Sequence, residues 1–286
     1  MQELDEYINK IKSLPPAPRI LPELLGLLRE EDVDADRVVK LIEFDPAITA
    51  AVLRLCNSAL FAGATAATDL SSAVARLGFR QVYQLVAAVS GSRILGAAQA
   101  GYGIHGGELW QHSVTAAVAA QLIARSKDDD ESLAFTAALL HDIGKIVLAA
   151  ALEHIYKELV ENSESQQAAL IETEKRLLGV QHAEIGGRLL ARWKFPENLV
   201  AAVCHHHQPA AASPYKRLAA YVYLGNMIAY FMGYGYGHQA FALRGRAEAL
   251  EILSLKHDAL PHFMIQTFDK LQMVEALVKV NAPSGK

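Results

Sequence analysis

Five short segments carry side chains suited to metal or phosphate chemistry. They are Glu108-Leu-Trp-Gln-His112, Leu139-Leu-His141-Asp142-Ile-Gly144-Lys145, Gln181-His182-Ala-Glu184-Ile-Gly186, Cys204-His205-His206-His207-Gln-Pro209 and Leu224-Gly-Asn226-Met. Glu108 and His112 are four apart and share one face of a helix, where both can reach one ion. His141 and Asp142 are adjacent, so in mid-helix they would diverge by about 100°. At a helix C-terminus, just before Gly144, that constraint relaxes: the imidazole can hold one ion while the carboxylate bridges to another. Imidazole and carboxylate together suit Fe, Mn or Zn more than Mg or Ca. Lys145 is placed to meet a phosphate as a point charge. His182 precedes the apolar stripe Ile185, Leu189 and Leu190, so it belongs at a helix start. His205, His206 and His207 end a helix begun near Pro196. Three consecutive imidazoles there cannot all face a core, so one or two are expected to point into a site.

Not every histidine belongs to this set. The chain has 11 His, and His105, His154, His238, His257 and His262 read as ordinary hydrogen-bonded residues. Cys56 and Cys204 read as small buried side chains, and Gly233-Tyr-Gly-Tyr-Gly237 as a loop. Two cysteines make neither a disulfide framework nor a zinc ribbon. With 52% hydrophobic and 20% charged residues, disorder is excluded as the dominant state. A net charge of −4 gives no reason to expect a DNA, RNA or anionic-membrane partner. No secretion signal opens the chain, and no apolar run is expected to approach the ~20 residues of a membrane helix. A cytoplasmic protein is expected.

The elements that must position these residues are helices. Leu21, Leu24, Leu25 and Leu28 form a stripe after the extended Leu14-Pro-Pro-Ala-Pro18 opening. Asp45-Pro46 is an N-cap followed by proline at the first helical position. Leu70, Val74 and Leu77 form a stripe closed by Gly78 at a C′ position. Val82, Leu85, Val86 and Val89 form another. Between Gly96 and Gly107 the pattern breaks, which predicts a connector between two helical halves. The second half is helical from Glu108 to Phe231, and a last helix is predicted from about Pro261 to Val280. No stretch shows a sustained period of two, so the expected fold class is all-α.

The order His112, then His141-Asp142, resembles the opening pattern of the HD superfamily of metal-dependent phosphohydrolases. His182, His206 and His207 resemble its HD-GYP branch, whose members hydrolyse cyclic dinucleotides. Leu14-Pro-Pro-Ala-Pro, Phe44-Asp-Pro-Ala-Ile-Thr49, Leu55-Cys-Asn-Ser-Ala59 and Ala73-Val-Ala-Arg-Leu-Gly78 resemble, in order, the N-terminal half of the HDOD family. The resemblance runs over roughly residues 10 to 232. It implies a helical HDOD module with an N-terminal subdomain at 1–100 and an HD-like subdomain with a helical tail at 101–286. It implies metal ligands at His112, His141, Asp142, His182, His206 and His207, with Glu108 and Asn226 completing the set. Asn226 stands where the HD-GYP pattern has Asp, and Gln208-Pro-Ala210 where its Gly-Tyr-Pro signature would begin.

Two functions follow as expectations. One is a bacterial signal-transduction output module that acts on a protein partner, its metal serving as a staple or lost altogether. The other is a metal-dependent phosphohydrolase acting on a nucleotide or cyclic dinucleotide, with Asp142 and Lys145 as candidate catalytic residues. A metal or small-ligand sensor is a third and weaker reading. The missing carboxylate at Asn226 weighs toward the first.

Overall fold

Short polar caps set the helices of the first half. The Asp34 carboxylate accepts the Asp36 N–H at the start of α2 (Ala35–Ile42), following α1 (Ile20–Leu27). The Asp45 carboxylate accepts the N–H groups of Ala47 and Ile48 at the start of α3 (Pro46–Cys56). It also receives Arg93 of α5 (Phe79–Leu95), so one side chain caps a helix and ties it to a second. Asp69 caps α4 (Leu70–Leu77). Gly78 follows at φ 77°, a backbone conformation that favours glycine, and turns the chain directly into α5. In the computed structural model the described residues are 18–30, 32–58, 61, 66–99, 102–151, 170–235 and 246–279. The Leu14 to Ala17 opening, Ala59, His154, His238, the Tyr236-Gly237 end of the Tyr/Gly run and Val280 lie outside them.

The second half continues with α6 (Glu108–Arg125), α7 (Glu131–Leu140), α8 (Ile143–Ala151), α9 (Leu170–Leu178), α10 (His182–Arg192) and α11 (Glu197–Cys204). A 3-10 turn (Pro209–Ala212), α12 (Lys216–Phe231), α13 (Arg246–Ile252) and α14 (Ala259–Lys279) follow. The fold is all-α: the described residues contain no strand, only one isolated bridge between Gln99 and Ile104 in the Gly96 to Gly107 connector. α12 lies along α6 and α6 along α7, while α10 packs on both α8 and α11. One continuous apolar cluster runs from Leu21 in α1 to Leu271 in α14.

One expectation needs correction. The stretch Glu131–Ala149, 19 residues at mean hydropathy 1.4, is long and apolar enough by composition to cross a membrane. It spans α7 and α8 and is 94% buried inside the fold. Its apolarity serves the core, and His141-Asp142 interrupts it with groups that hydrocarbon would not solvate.

Close packing holds α8 against α10. A Cβ on Gly144 would stand 1.9 Å from the carbonyl oxygen of His182. Only glycine permits that approach, and it brings the start of α8 against the start of α10. Gly225 plays the same part between α12 and α6, where a Cβ would meet the Ala116 carbonyl oxygen at 2.4 Å.

Candidate metal centre

Four helix ends and two helix interiors supply the cluster. His112 projects from the second turn of α6; His141 is the C-cap of α7, and Asp142 follows in the break before α8. His182 is the first residue of α10, while His206 and His207 follow the His205 C-cap of α11. Asn226 lies inside α12. His112, His141 and His206 are 0% exposed, Asp142, Lys145 and His182 1%, and Asn226 3%; His207 is half-buried. The cluster is enclosed.

The donor atoms form two triads. His112, His141 and Asp142 make one, His182, His206 and His207 the other, each with its donor atoms within 4.8 Å of one another. Asp142 joins them. Its Oδ2 lies 3.3 Å from His141 Nε2 and 3.8 Å from His112 Nε2; its Oδ1 lies 3.2 Å from His182 Nε2 and 3.9 Å from His206 Nε2. Donors roughly 2.0–2.2 Å from a common ion are separated by distances of this order.

The imidazoles are set to present lone pairs inward. His141 Nδ1 donates to the Ala138 carbonyl at 2.7 Å, His206 Nδ1 to the Val203 carbonyl at 2.8 Å and His112 Nδ1 to the Tyr234 carbonyl at 2.8 Å. A carbonyl oxygen only accepts, so each of these rings carries its proton on Nδ1. Nε2 is then left as the acceptor, or the ligand, in the neutral ring. His141 Nε2 and His206 Nε2 are buried and make no hydrogen bond. Buried polar atoms are normally satisfied, and a cation fits both. Burial, followed by the neighbouring His141, pulls the His112 pKa down to about 3. Burial and the facing imidazoles lower His206 and His207 well below the usual histidine range. These rings are therefore neutral near pH 7, the form that binds metal.

His182 differs. Burial opposes its charge, but the Glu174 and Asp142 carboxylates together outweigh burial and raise its pKa. Glu174, on α9 and 0% exposed, accepts the His182 backbone N–H and Nδ1–H, each at 2.8 Å, and the Tyr102 hydroxyl at 3.0 Å. This is the carboxylate–histidine arrangement that orients metal-ligating rings. His182 Nε2 faces His207 Nε2 at 3.0 Å. Burial alone would raise the Asp142 pKa, but His141 and Lys145 outweigh it and hold the carboxylate well below its usual range. The Lys145 ammonium, itself buried, donates to Asp142 Oδ2 at 2.7 Å.

Glu108 is one turn before His112, and its carboxylate accepts the His105 N–H at 2.7 Å, a helix-start contact. It belongs to neither triad. Asn226 Oδ1 is buried and makes no hydrogen bond; it lies one turn before Tyr230, whose ring packs 4.8 Å from that of His112. Cys56 is buried as expected, whereas Cys204 is only half-buried, its Cβ close against Gly187.

The residues that support the cluster from outside were not singled out in the sequence. Glu174 carries a legible signal: it stands four residues before Leu178 on the buried stripe of α9, an acid where the pattern calls for an apolar side chain. Tyr234, in the Tyr/Gly run expected to be a loop, contributes only its backbone carbonyl, which no side-chain pattern reveals. Tyr102 reaches Glu174 from the glycine-rich connector.

An all-helical body enclosing histidine triads about an Asp defines a domain of the HD type. Residues 14–209 match the family model "HDOD domain", more than half of the chain, and the chain belongs to the HDOD family. It is 29% identical over 227 residues to an uncharacterized protein of Treponema pallidum (strain Nichols), across 78% of this chain and 44% of that one. The chain thus spans less than half the length of this curated relative. An HDOD domain protein of unknown function from Geobacter sulfurreducens shares the fold at TM-score 0.77, with 23% identity, covering 96% of this chain and 97% of that one. A protein from Shewanella amazonensis SB2B, provisionally described as a phosphohydrolase, aligns at TM-score 0.70 with 25% identity, covering 97% of both chains. A Marinobacter aquaeolei VT8 protein, provisionally described as a signal transduction protein, aligns at TM-score 0.75 with 23% identity, covering 96% of this chain and 64% of that one.

Proposed function

We propose that this chain is a cytoplasmic bacterial signal-transduction output module that works by contact with a protein partner and is built round a dinuclear metal centre. The observation that supports the metal is the position of Asp142, with Oδ2 toward His112 and His141 and Oδ1 toward His182 and His206. His112, His141 and Asp142 would hold one ion; His182, His206 and His207 the other. Five imidazoles to one carboxylate favour Fe, Mn or Zn. When bound, such a pair supplies charge and, where water reaches it, Lewis acidity.

The signalling reading rests on two features. The cluster is enclosed, with only His207 half-exposed, so the edge of that ring is all that these side chains offer a cyclic dinucleotide. Asn226 brings a neutral amide where a carboxylate would offset cationic charge. On this reading the metal fixes the junction of α6, α7, α10 and α11, and the surface of that body meets the partner.

A second reading, a metal-dependent phosphohydrolase acting on nucleotides, is favoured by the same Asp142 geometry. A carboxylate between two ions is what an in-line phosphoryl displacement uses. There Lys145 would act on Asp142 and on the phosphate.

Elemental analysis of protein purified without chelator tests the centre, and about two metals per chain are expected. Hydrolysis of mono- and cyclic dinucleotides with excess Mn or Fe then separates the readings. Turnover well below about 1 s⁻¹ supports the output module; ordinary turnover replaces it with the phosphohydrolase. Asn226→Asp is expected to tighten the metal. Protein without metal in any of these forms would sink both.

A further inference from the structure

A second cavity, separate from the histidine cluster, lies where the two helical halves meet α14. It has a volume of about 100 Å³ and is lined by Leu55 of α3, by Phe61, by Gln81, Gln84, Leu85 and Ala88 of α5, Val118 and Gln121 of α6, Phe135 of α7 and Lys270 of α14. The walls are aliphatic and aromatic. The polar groups are few, and two of them are unspent. Gln84 Nε2 is buried and donates to nothing. Lys270 is half-buried and, among the described residues, has no hydrogen-bond or ion-pair partner.

The charge around Lys270 explains why it lacks one. The acid in its field is Glu131, and that carboxylate is committed elsewhere. Glu131 Oε1 takes Arg80 at 2.7 Å and Arg125 at 3.9 Å, and its Oε2 accepts Gln121 Nε2 at 3.3 Å. Arg80 and Arg125 thus take the one carboxylate that lies in the field of Lys270. Burial, and then Arg125, lower the Lys270 pKa, as an ammonium short of a counter-anion requires.

We propose that this cavity is a binding site for a small carboxylate with a short aliphatic body, its head on the Lys270 ammonium and the Gln84 amide, its tail against Leu55, Leu85, Val118 and Phe135. The chemistry of each end fixes the class. An ammonium and an amide N–H₂ both donate, so the head must be an anionic acceptor. The other polar groups of the lining are Gln81, which is exposed, and Gln121, whose Nε2 is already given to Glu131. The volume is smaller than the roughly 150 Å³ that takes benzene, so the whole ligand, head included, is smaller than benzene: a carboxylate of about three carbons. Such a ligand would touch α5 of the first half and α6 and α7 of the second, which makes it a natural input to the module.

Propionate, 1-propanol and propylamine, titrated calorimetrically into the intact chain and followed by thermal melts, test this. Propionate is expected to bind saturably and raise Tm, 1-propanol to bind at least tenfold more weakly and propylamine not at all. Lys270→Met keeps the stem and is expected to weaken propionate by about tenfold or more, the loss of one charge-assisted contact. Gln84→Leu gives a signature that no packing defect reproduces: a higher Tm without ligand, since a buried unpaired amide is removed, and weaker propionate binding. No saturable binding of propionate at millimolar concentration, equal binding of 1-propanol, or unchanged affinity in both variants would each overturn the proposal.

Discussion

One oxygen of Glu174 accepts both the backbone N–H and the ring Nδ1–H of His182, each at 2.8 Å. The first contact fixes where α10 begins; the second fixes the ring's tautomer and aim. A residue with no place in either triad thus decides where a triad imidazole points. Glu174→Gln keeps the volume and loses the charge, and is expected to weaken metal binding about 10–100-fold, the usual effect of losing such a partner. Metal titration against a competing chelator measures it. Glu174→Ala is expected to cost about 3–5 kcal/mol of stability as well, because it breaks a buried polar network.

Asp142 serves both triads and the Lys145 ammonium. Asp142→Asn removes the bridging charge and leaves a buried cation facing an amide. Metal content is expected to drop to one ion or none. The metal-free variant should unfold about 3–5 kcal/mol more easily, with Lys145→Met in the same chain recovering most of that loss. Denaturant melts in chelator check both parts; equal stability of wild type and Asp142→Asn would show that the pair contributes nothing.

The metal-free protein is expected to lose stability in acid. His112 falls to about 3 from an ordinary value of 6.5, and His206 and His207 are lowered in the same direction. For groups held neutral in the fold, the unfolded chain binds more protons below 6.5, so stability rises with pH. Their contribution is complete above about pH 6.5 and is lost as pH falls toward 3. Asp142, also lowered, adds loss below its unfolded value of 3.8. His182, raised, works the other way: its contribution is present below 6.5 and fades as pH rises through its folded value. Three histidines outweigh one, so Tm in chelator should fall steadily from pH 7 to pH 5. A flat profile there would contradict the enclosed cluster.

Gly144 binds nothing, yet its substitution should disable the centre. A Cβ there would meet the His182 carbonyl oxygen at 1.9 Å and the Gly186 amide nitrogen at 2.8 Å, both backbone atoms that cannot turn aside. Gly144→Ala must push α8 from α10 and so part Asp142 from His182. A loss of about 3 kcal/mol, at the upper end for overpacking, is expected together with loss of metal. Gly26→Ala, inside α1 where a Cβ would meet nothing within 4 Å, is the matched control and should leave metal binding unchanged and raise stability by about 0.4–1 kcal/mol.

The sequence alone determined the helices and the identity of most of the cluster. Caps are local: Asp45 before Pro46 and Gly78 after Leu77 act through neighbours in the chain, so their types and order specify where helices start and stop. The apolar stripes are local in the same sense, and the all-α class was legible from them, while the HDOD resemblance lay in four short motifs of the first half together with the histidines. His112, His141, Asp142, His182, His206 and His207 stood out because imidazole and carboxylate in that order have few uses. Tertiary structure decided the rest. It gave Asp142 a place between two triads, which depends on α8 meeting α10 at Gly144, a contact across 38 residues of chain that spacing cannot express. It enclosed the cluster, spent Glu108 on a helix start and called in Glu174. It took the partner of His112 from the backbone of Tyr234, because a carbonyl oxygen is the same in every residue and only its position gives it a role.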